Sequence, residues 1–96
     1  MNRDEILTIL RKFKQDYAEQ YGIIEIGVFG STARNEIRDN SDVDICIKTR
    51  IPNPFMLVHI KETIEELVHK PVDIVRMREN MNPFLKKRID KEALYV

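Results

Sequence analysis

A chain of 96 residues has room for one domain, residues 1–96, around one modest core. Lys and Arg number 16, as do Asp and Glu, so the formal net charge is zero; that argues against nucleic acid as the main partner, and no direct nucleic-acid binding is expected. Cys46 is the only cysteine, which excludes a disulfide framework and a Cys-based zinc site.

The first element predicted is a helix over Arg3–Tyr21. Ile6, Leu10, Phe13 and Tyr17 recur at helical spacing. Asn2 can cap the helix, Glu5 is placed for a capping box, and Gly22 is a plausible stop. Arg3, Asp4 and Glu5 at the start do not read as a signal peptide, so a cytoplasmic protein is the expectation. Ile24, Ile26 and Val28 then alternate with Glu25, Gly27 and Phe29, which predicts a strand ending at Gly30. A short helix should open at Ser31 or Thr32 and fade near Ile37. A polar turn, Arg38 to Ser41, follows.

Val43, Ile45 and Ile47 form a second alternating run, so Asp42, Asp44 and Cys46 share its opposite face. Pro52 and Pro54 break the chain, and Asn53-Pro54 is a good cap and first helical residue. The helix that follows has one apolar side, Leu57, Ile60, Ile64, Leu67 and Val68, and ends before Pro71. The uncharged run Ile51 to Ile60 is too short to span a bilayer, so no membrane association is expected. Val72 to Met77 reads as a third strand. Asn82-Pro83 starts a last helix through about Lys91, and Leu94 to Val96 can add a short strand. The order is α-β-α-β-α-β-α, an α/β (α+β) fold with a small mixed sheet and flanking helices.

The chemistry concentrates in "GVFGSTARNEIRDNSDVDICI", residues 27 to 47. Gly30-Ser31 lies at a strand end and opens a helix. Free N–H groups there favour an anion, glycine admits close approach, and the Ser31 hydroxyl can donate to a phosphate oxygen. A turn plus a helix cap is the ordinary account of Gly-Ser alone. Asp42 and Asp44 fall on one strand face ~6–7 Å apart along the backbone. At an effective dielectric near 20, two such carboxylates repel by ~2–3 kcal/mol. A sheet end does not normally collect this repulsion without a cation, and hard oxygen ligands suit Mg²⁺ or Mn²⁺; for the two acids alone, a solvated pair in a turn is the ordinary account. A third acid, Asp73, sits inside the otherwise apolar "PVDIV". If strands one and two are antiparallel, and strands two and three are joined by a right-handed parallel crossover, then Gly30-Ser31, Asp42, Asp44 and Asp73 meet at one edge. Three carboxylates beside a phosphate-binding turn is the layout of two-metal phosphoryl or nucleotidyl transfer.

Gly30-Ser31, ten residues, then Asp42-x-Asp44 resembles the signature of the DNA polymerase beta-like nucleotidyltransferases. The longer string "GSTARNEIRDNSDVDI" resembles the minimal nucleotidyltransferases, the antitoxin half of HEPN–MNT toxin–antitoxin pairs. The likeness extends to "VDIV" and to the tail "PFLKKRIDKEALYV". One departure is Asn35, where the family usually has glycine; Asn tolerates left-handed backbone, so the turn should survive. The resemblance implies a polymerase beta-like palm fold and a protein adenylyltransferase. It would transfer AMP from ATP, with two Mg²⁺ (or Mn²⁺) ions, to a tyrosine of a partner HEPN-type ribonuclease toxin, as in type VII-like systems. Antitoxin and toxin would form a hetero-oligomer. It implies that Asp42, Asp44 and Asp73 are catalytic and metal-binding, with Asp73 helping to deprotonate the incoming hydroxyl. It further implies that Gly30 and Ser31 hold the outer phosphates, and that Arg34 contacts phosphate or pairs with a nearby acid. Glu36 reads as structural, Asp39 and Ser41 as turn formers. The alternatives are a catalytically silent antitoxin that blocks the toxin by binding, and a nucleotidyltransferase acting on a small molecule.

Outside this stretch the ordinary accounts are the better ones. His59 and His69 lack a third ligand at metal spacing. Cys46 reads as a buried small side chain. Lys86, Lys87, Arg88 and Lys91 alternate with Asp90 and Glu92, which suggests a salt-bridged helix surface, with docking of an acidic partner or RNA as the other reading.

Overall fold

Asn2 starts the first helix as its spacing with Glu5 suggests. In the computed structural model, which describes residues 1–96, the Asn2 side chain accepts from the Glu5 N–H, and the Glu5 side chain accepts from the Asn2 N–H. This reciprocal cap opens α1, Arg3–Tyr21, and Gly22 closes it in the left-handed conformation at φ 64°. The remaining elements are β1 (Ile23–Val28), α2 (Gly30–Ala33), β2 (Val43–Thr49), α3 (Pro54–Val68), β3 (Val72–Arg76), α4 (Pro83–Glu92) and β4 (Leu94–Tyr95). Helices α3 and α4 both begin with an Asn cap followed by proline: the Asn53 side chain accepts from Phe55 and Met56, and that of Asn82 accepts from Phe84 and Leu85.

The strands form one mixed sheet in the order β3-β2-β1-β4. β1 runs antiparallel to β2, and β2 runs parallel to β3 through α3. The last two-residue strand pairs antiparallel with the other edge of β1, opposite Gly27 and Val28. One sheet face carries the main core. Ile6, Leu10 and Phe13 of α1 and Ile60, Ile64 and Val68 of α3 pack there on Ile26, Val28, Val43, Ile45 and Ile47. The other face has a smaller cluster of Phe29, Cys46 and Ile89, with Val75, Met77 and Leu85 packed against it. So α4 alone lies over that face, and it is the face of Asp44 and Cys46.

The structure differs from the sequence expectations in three places. The inward set on β1 is Ile23, Ile26 and Val28, while Ile24 is 44% exposed. The pairing steps from Ile23↔Thr49 to Glu25↔Lys48, so β1 carries one extra residue, and this bulge turns Ile24 to solvent. Helix α2 stops at Ala33, short of Ile37, because Asn35 adopts φ 59° and closes the turn. On α3, Leu67 is 44% exposed, and the buried stripe narrows to Ile60, Ile64 and Val68.

Candidate active site

The antiparallel pairing of β1 and β2 brings the end of β1 beside the start of β2, with Val28 opposite Ile45. Phe29 N–H donates to the Asp44 carbonyl at 3.1 Å. Gly30 and Asp44 therefore face each other across the strand gap. In the parallel ladder of β2 and β3, Asp44 and Asp73 are direct partners. Asp42 lies two residues before Asp44, at the mouth of β2. Backbone pairing thus holds the three acids at one sheet edge, as the topology inferred from the sequence requires. Asp42 and Asp73 are exposed and Asp44 is partly buried. No three His, Cys, Asp or Glu side chains are drawn into a ready-made metal-binding group.

Asp44 is the electrostatic centre of the site. Burial, and then the facing charge of Asp73, push its carboxyl above the ordinary range; Arg88 pulls it back, Asp42 pushes it up again, and Arg34 has a smaller opposing influence. The donor set is hard oxygen and acidic, which fits Mg²⁺ or Mn²⁺, and a bound cation would relieve this repulsion.

Gly30 makes the opposite wall. It has φ +60°, and a Cβ there would fall 2.6 Å from Asp44 Oδ2. Only a residue without a side chain leaves this space open while taking the left-handed turn. The next turn is buttressed by Thr32, which is fully buried and whose hydroxyl accepts from the Asp44 N–H at 3.1 Å. Ser31 is half-buried beside it, and its carbonyl accepts from Glu36 N–H at 2.9 Å.

Arg34 is drawn to acids in this structure. Its guanidinium donates to Glu36 at 3.1 Å and to Glu92 at 3.0 Å. The other Glu92 oxygen accepts from the Gly30 N–H at 3.1 Å. Glu36, expected to be structural, lies on the surface and pairs with Arg34.

The salt bridges join Arg3 to Asp4, Lys12 to Asp16, and Arg34 to Glu36 and Glu92. Lys86, Lys87, Arg88 and Lys91 take part in none, so the last helix is not the salt-bridged surface expected from its alternating charges. Glu92 pairs away from its own helix instead. His59 and His69 are exposed, and His69 ends α3 at φ 56°. Cys46 is fully buried. Burial pushes its thiol up to about 11 and likewise pushes the Tyr95 hydroxyl up to about 12.

Thr32, Arg88 and Glu92 are the site neighbours that sequence reading missed. Arg88 and Glu92 lie one turn apart on α4, which packs beside α2. Their only local signal was membership of a mixed-charge helix. The largest groove, about 470 Å³, lies between the starts of α3 and α4 over β3, lined by Pro52, Leu57, Ile74, Arg76, Met81 and Leu85. It contains none of the three aspartates. Gly30, Ser31, Asp42, Asp44 and Asp73 line no pocket, so the site is an open surface rather than a cavity.

Residues 10–96 match the family described as "Nucleotidyltransferase domain". The chain is 36% identical over 94 residues to the protein adenylyltransferase MntA of Thermococcus cleftensis, an alignment covering 97% of this chain and 94% of that one. A solved structure described as a candidate minimal nucleotidyltransferase superposes with a TM-score of 0.79 at 28% identity, covering 98% of this chain and 95% of that one. A chain of the complex between tri-AMPylated Shewanella oneidensis HEPN toxin and MNT antitoxin shares the fold, with a TM-score of 0.71 at 15% identity over 97% of this chain and 70% of that one. The Gly30-Ser31 turn against Asp44, the Asp44–Asp73 ladder pair, and a match spanning nearly the whole chain lead to one conclusion: this protein belongs to the nucleotidyltransferase family, in its minimal, protein-adenylyltransferase-like branch.

Proposed function

We propose that this chain is an antitoxin that transfers AMP from ATP to a tyrosine of a partner HEPN-type ribonuclease toxin and thereby silences it. The observation that supports this most directly is the Asp44 carboxylate, which packs against Gly30 and pairs in register with Asp73. The resemblance to MntA supports the choice of AMP and of a protein acceptor.

In this reading Asp42, Asp44 and Asp73 would hold Mg²⁺. A bound ion would supply positive charge against the phosphates. Gly30 and Ser31 would hold the outer phosphates, the glycine by close backbone approach and the serine through its hydroxyl. The tyrosine oxygen attacks the α-phosphorus, the bond to the β-phosphate oxygen breaks, and pyrophosphate leaves. Asp73, exposed on its strand, takes the tyrosine proton. Arg34, engaged by Glu36 and Glu92, steadies the Gly30 turn through Glu92 and meets phosphate only if that pairing opens.

The open site favours a macromolecular acceptor over a small molecule. An acceptor such as an aminoglycoside would need walls, and the carboxylates stand outside every cavity. The test is intact-mass spectrometry of the partner HEPN ribonuclease after incubation with this protein, ATP and Mg²⁺. Added AMP on a tyrosine is the expected result. A toxin that is neutralised yet unmodified would instead establish the silent, binding-only antitoxin.

A further inference from the structure

Helix α4 contributes charge to a site that the sequence places wholly in residues 30 to 73. Two of its side chains reach the Gly30 turn, and they do different things there. Glu92 is committed: one oxygen accepts from the Gly30 N–H, and the other accepts from Arg34. Arg88, one turn earlier, is not. It forms no salt bridge. Its Nη2 lies 3.5 Å from the point where a Cβ on Gly30 would stand, and Asp44 Oδ2 lies 2.6 Å from the same point. A guanidinium and a carboxylate therefore flank one small gap over the glycine.

From this we infer that Arg88 is the arginine that binds the β- and γ-phosphates of the nucleotide, the role that Arg34 would otherwise be given. The inference rests on the reading of the site as a nucleotide site. Arg34 has two carboxylates, Glu36 and Glu92, within hydrogen-bond distance, and a triphosphate must compete with both for it. Arg88 is bonded to no carboxylate, and the acid it faces across the gap is Asp44. The arginine's fork of N–H donors suits phosphate oxygens, and it borders, with Asp44, the space left open over Gly30. A triphosphate lying over Gly30 would meet both the acids, with any cation they hold, and Arg88. The leaving pyrophosphate gathers negative charge as the α-phosphorus bond breaks, so a fixed cation at its end assists departure as well as binding.

The discriminating measurement is the affinity of Arg88→Gln for ATP and for AMP, by calorimetry with Mg²⁺ present. A charge-assisted contact confined to the outer phosphates should cost about tenfold or more in ATP affinity. AMP, which lacks those phosphates, should bind as it does to wild type. Arg88→Lys should recover part of the ATP affinity. Arg88 is exposed, so the thermal midpoint of either variant should stay at the wild-type value. Equal loss for ATP and AMP, or no loss for either, overturns the assignment. If wild-type protein itself binds no ATP, the nucleotide reading of the site fails, an outcome separate from the first.

Discussion

Replacing Gly30 with alanine probes the wall on which the whole site depends. Two strains add. The backbone is held at φ +60°, where a side chain costs about 1–2 kcal/mol. The new Cβ would also lie 2.6 Å from Asp44 Oδ2, so the carboxylate must swing out of its rotamer at roughly 0.5–1.5 kcal/mol. The sum is about 1.5–3.5 kcal/mol. At about 4–8 °C per kcal/mol for a domain of this size, the midpoint should fall by roughly 6–28 °C. Gly22→Ala is the control. It shares the left-handed backbone at φ +64°, but its Cβ would meet only Arg50, with Nε the nearest atom at 3.5 Å, an ordinary contact. It should lose about 1–2 kcal/mol and keep its nucleotidyl transfer, because nothing at Gly22 touches the acids. Gly30→Ala should lose transfer even at temperatures where it is fully folded, since Asp44 has moved. Calorimetric melts paired with a transfer assay at low temperature read both effects. A Gly30→Ala protein that melts like wild type, or that transfers like Gly22→Ala when folded, would refute the close packing of Gly30 on Asp44.

The other expectations concern the acids and their support. Asp42→Asn and Asp44→Asn should abolish transfer while leaving a folded protein, judged by circular dichroism; wild-type rates from either would remove it from the site. Asp44 holds its proton more tightly when folded than an ordinary carboxyl does, so its contribution to stability is present below the usual carboxylate range and lost as pH rises through its raised value. In EDTA, Asp44→Asn should therefore gain on wild type in thermal midpoint across that rise, and a constant difference at all pH values would contradict the repulsion. Thr32→Val keeps the shape of a fully buried side chain but leaves the Asp44 N–H without its partner, at about 1–3 kcal/mol in denaturant titrations. Cys46, buried and pushed up to about 11, should resist alkylation at neutral pH in the native state and react readily in denaturant; rapid labelling of native protein would show that the cluster under α4 is open.

What was legible in the sequence follows the range of the interactions. The ends of α1, α3 and α4 rest on contacts within three residues: Asn2 with Glu5, Asn53 with Met56, Asn82 with Leu85. Those could be read directly. Asp42 and Asp44 were visible because a strand has a period of two. Asp73 required one step more, the antiparallel and parallel pairings, and these follow from connection length and crossover handedness. Glu92 meets Gly30 from 62 residues away, and no local pattern encodes that approach. It depends on the two residues of β4 pairing with β1, which set where α4 lies. Ile24 illustrates the opposite failure. Its alternation was plain, but a bulge fixed by the pairing with β2 reversed the face. The surface of α4 was misjudged for a related reason: its charge alternation suggested internal pairing, whereas Glu92 pairs with Arg34 on another segment.

The site is held in place by forces that its own side chains oppose. Asp44 is pressed toward Asp73 and Asp42 by the β-ladder, with the Thr32 hydroxyl fixing the Asp44 N–H, and repulsion among the three is the result. Backbone pairing costs nothing to maintain when a ligand leaves, so the acids stay where a cation and a nucleotide can use them. On the proposed reading, binding of a cation would relieve this repulsion, and ligand affinity and thermal stability would rise together. The same preorganisation has a hazard, because an open site also admits water as an acceptor. Within residues 1–96, one sheet and four helices leave the acids outside every cavity. On the proposed reading, the acceptor itself can exclude water from such a site, and a protein surface does so where a small molecule cannot. The openness that leaves the acids outside every cavity is therefore the property that suits them to a macromolecular acceptor.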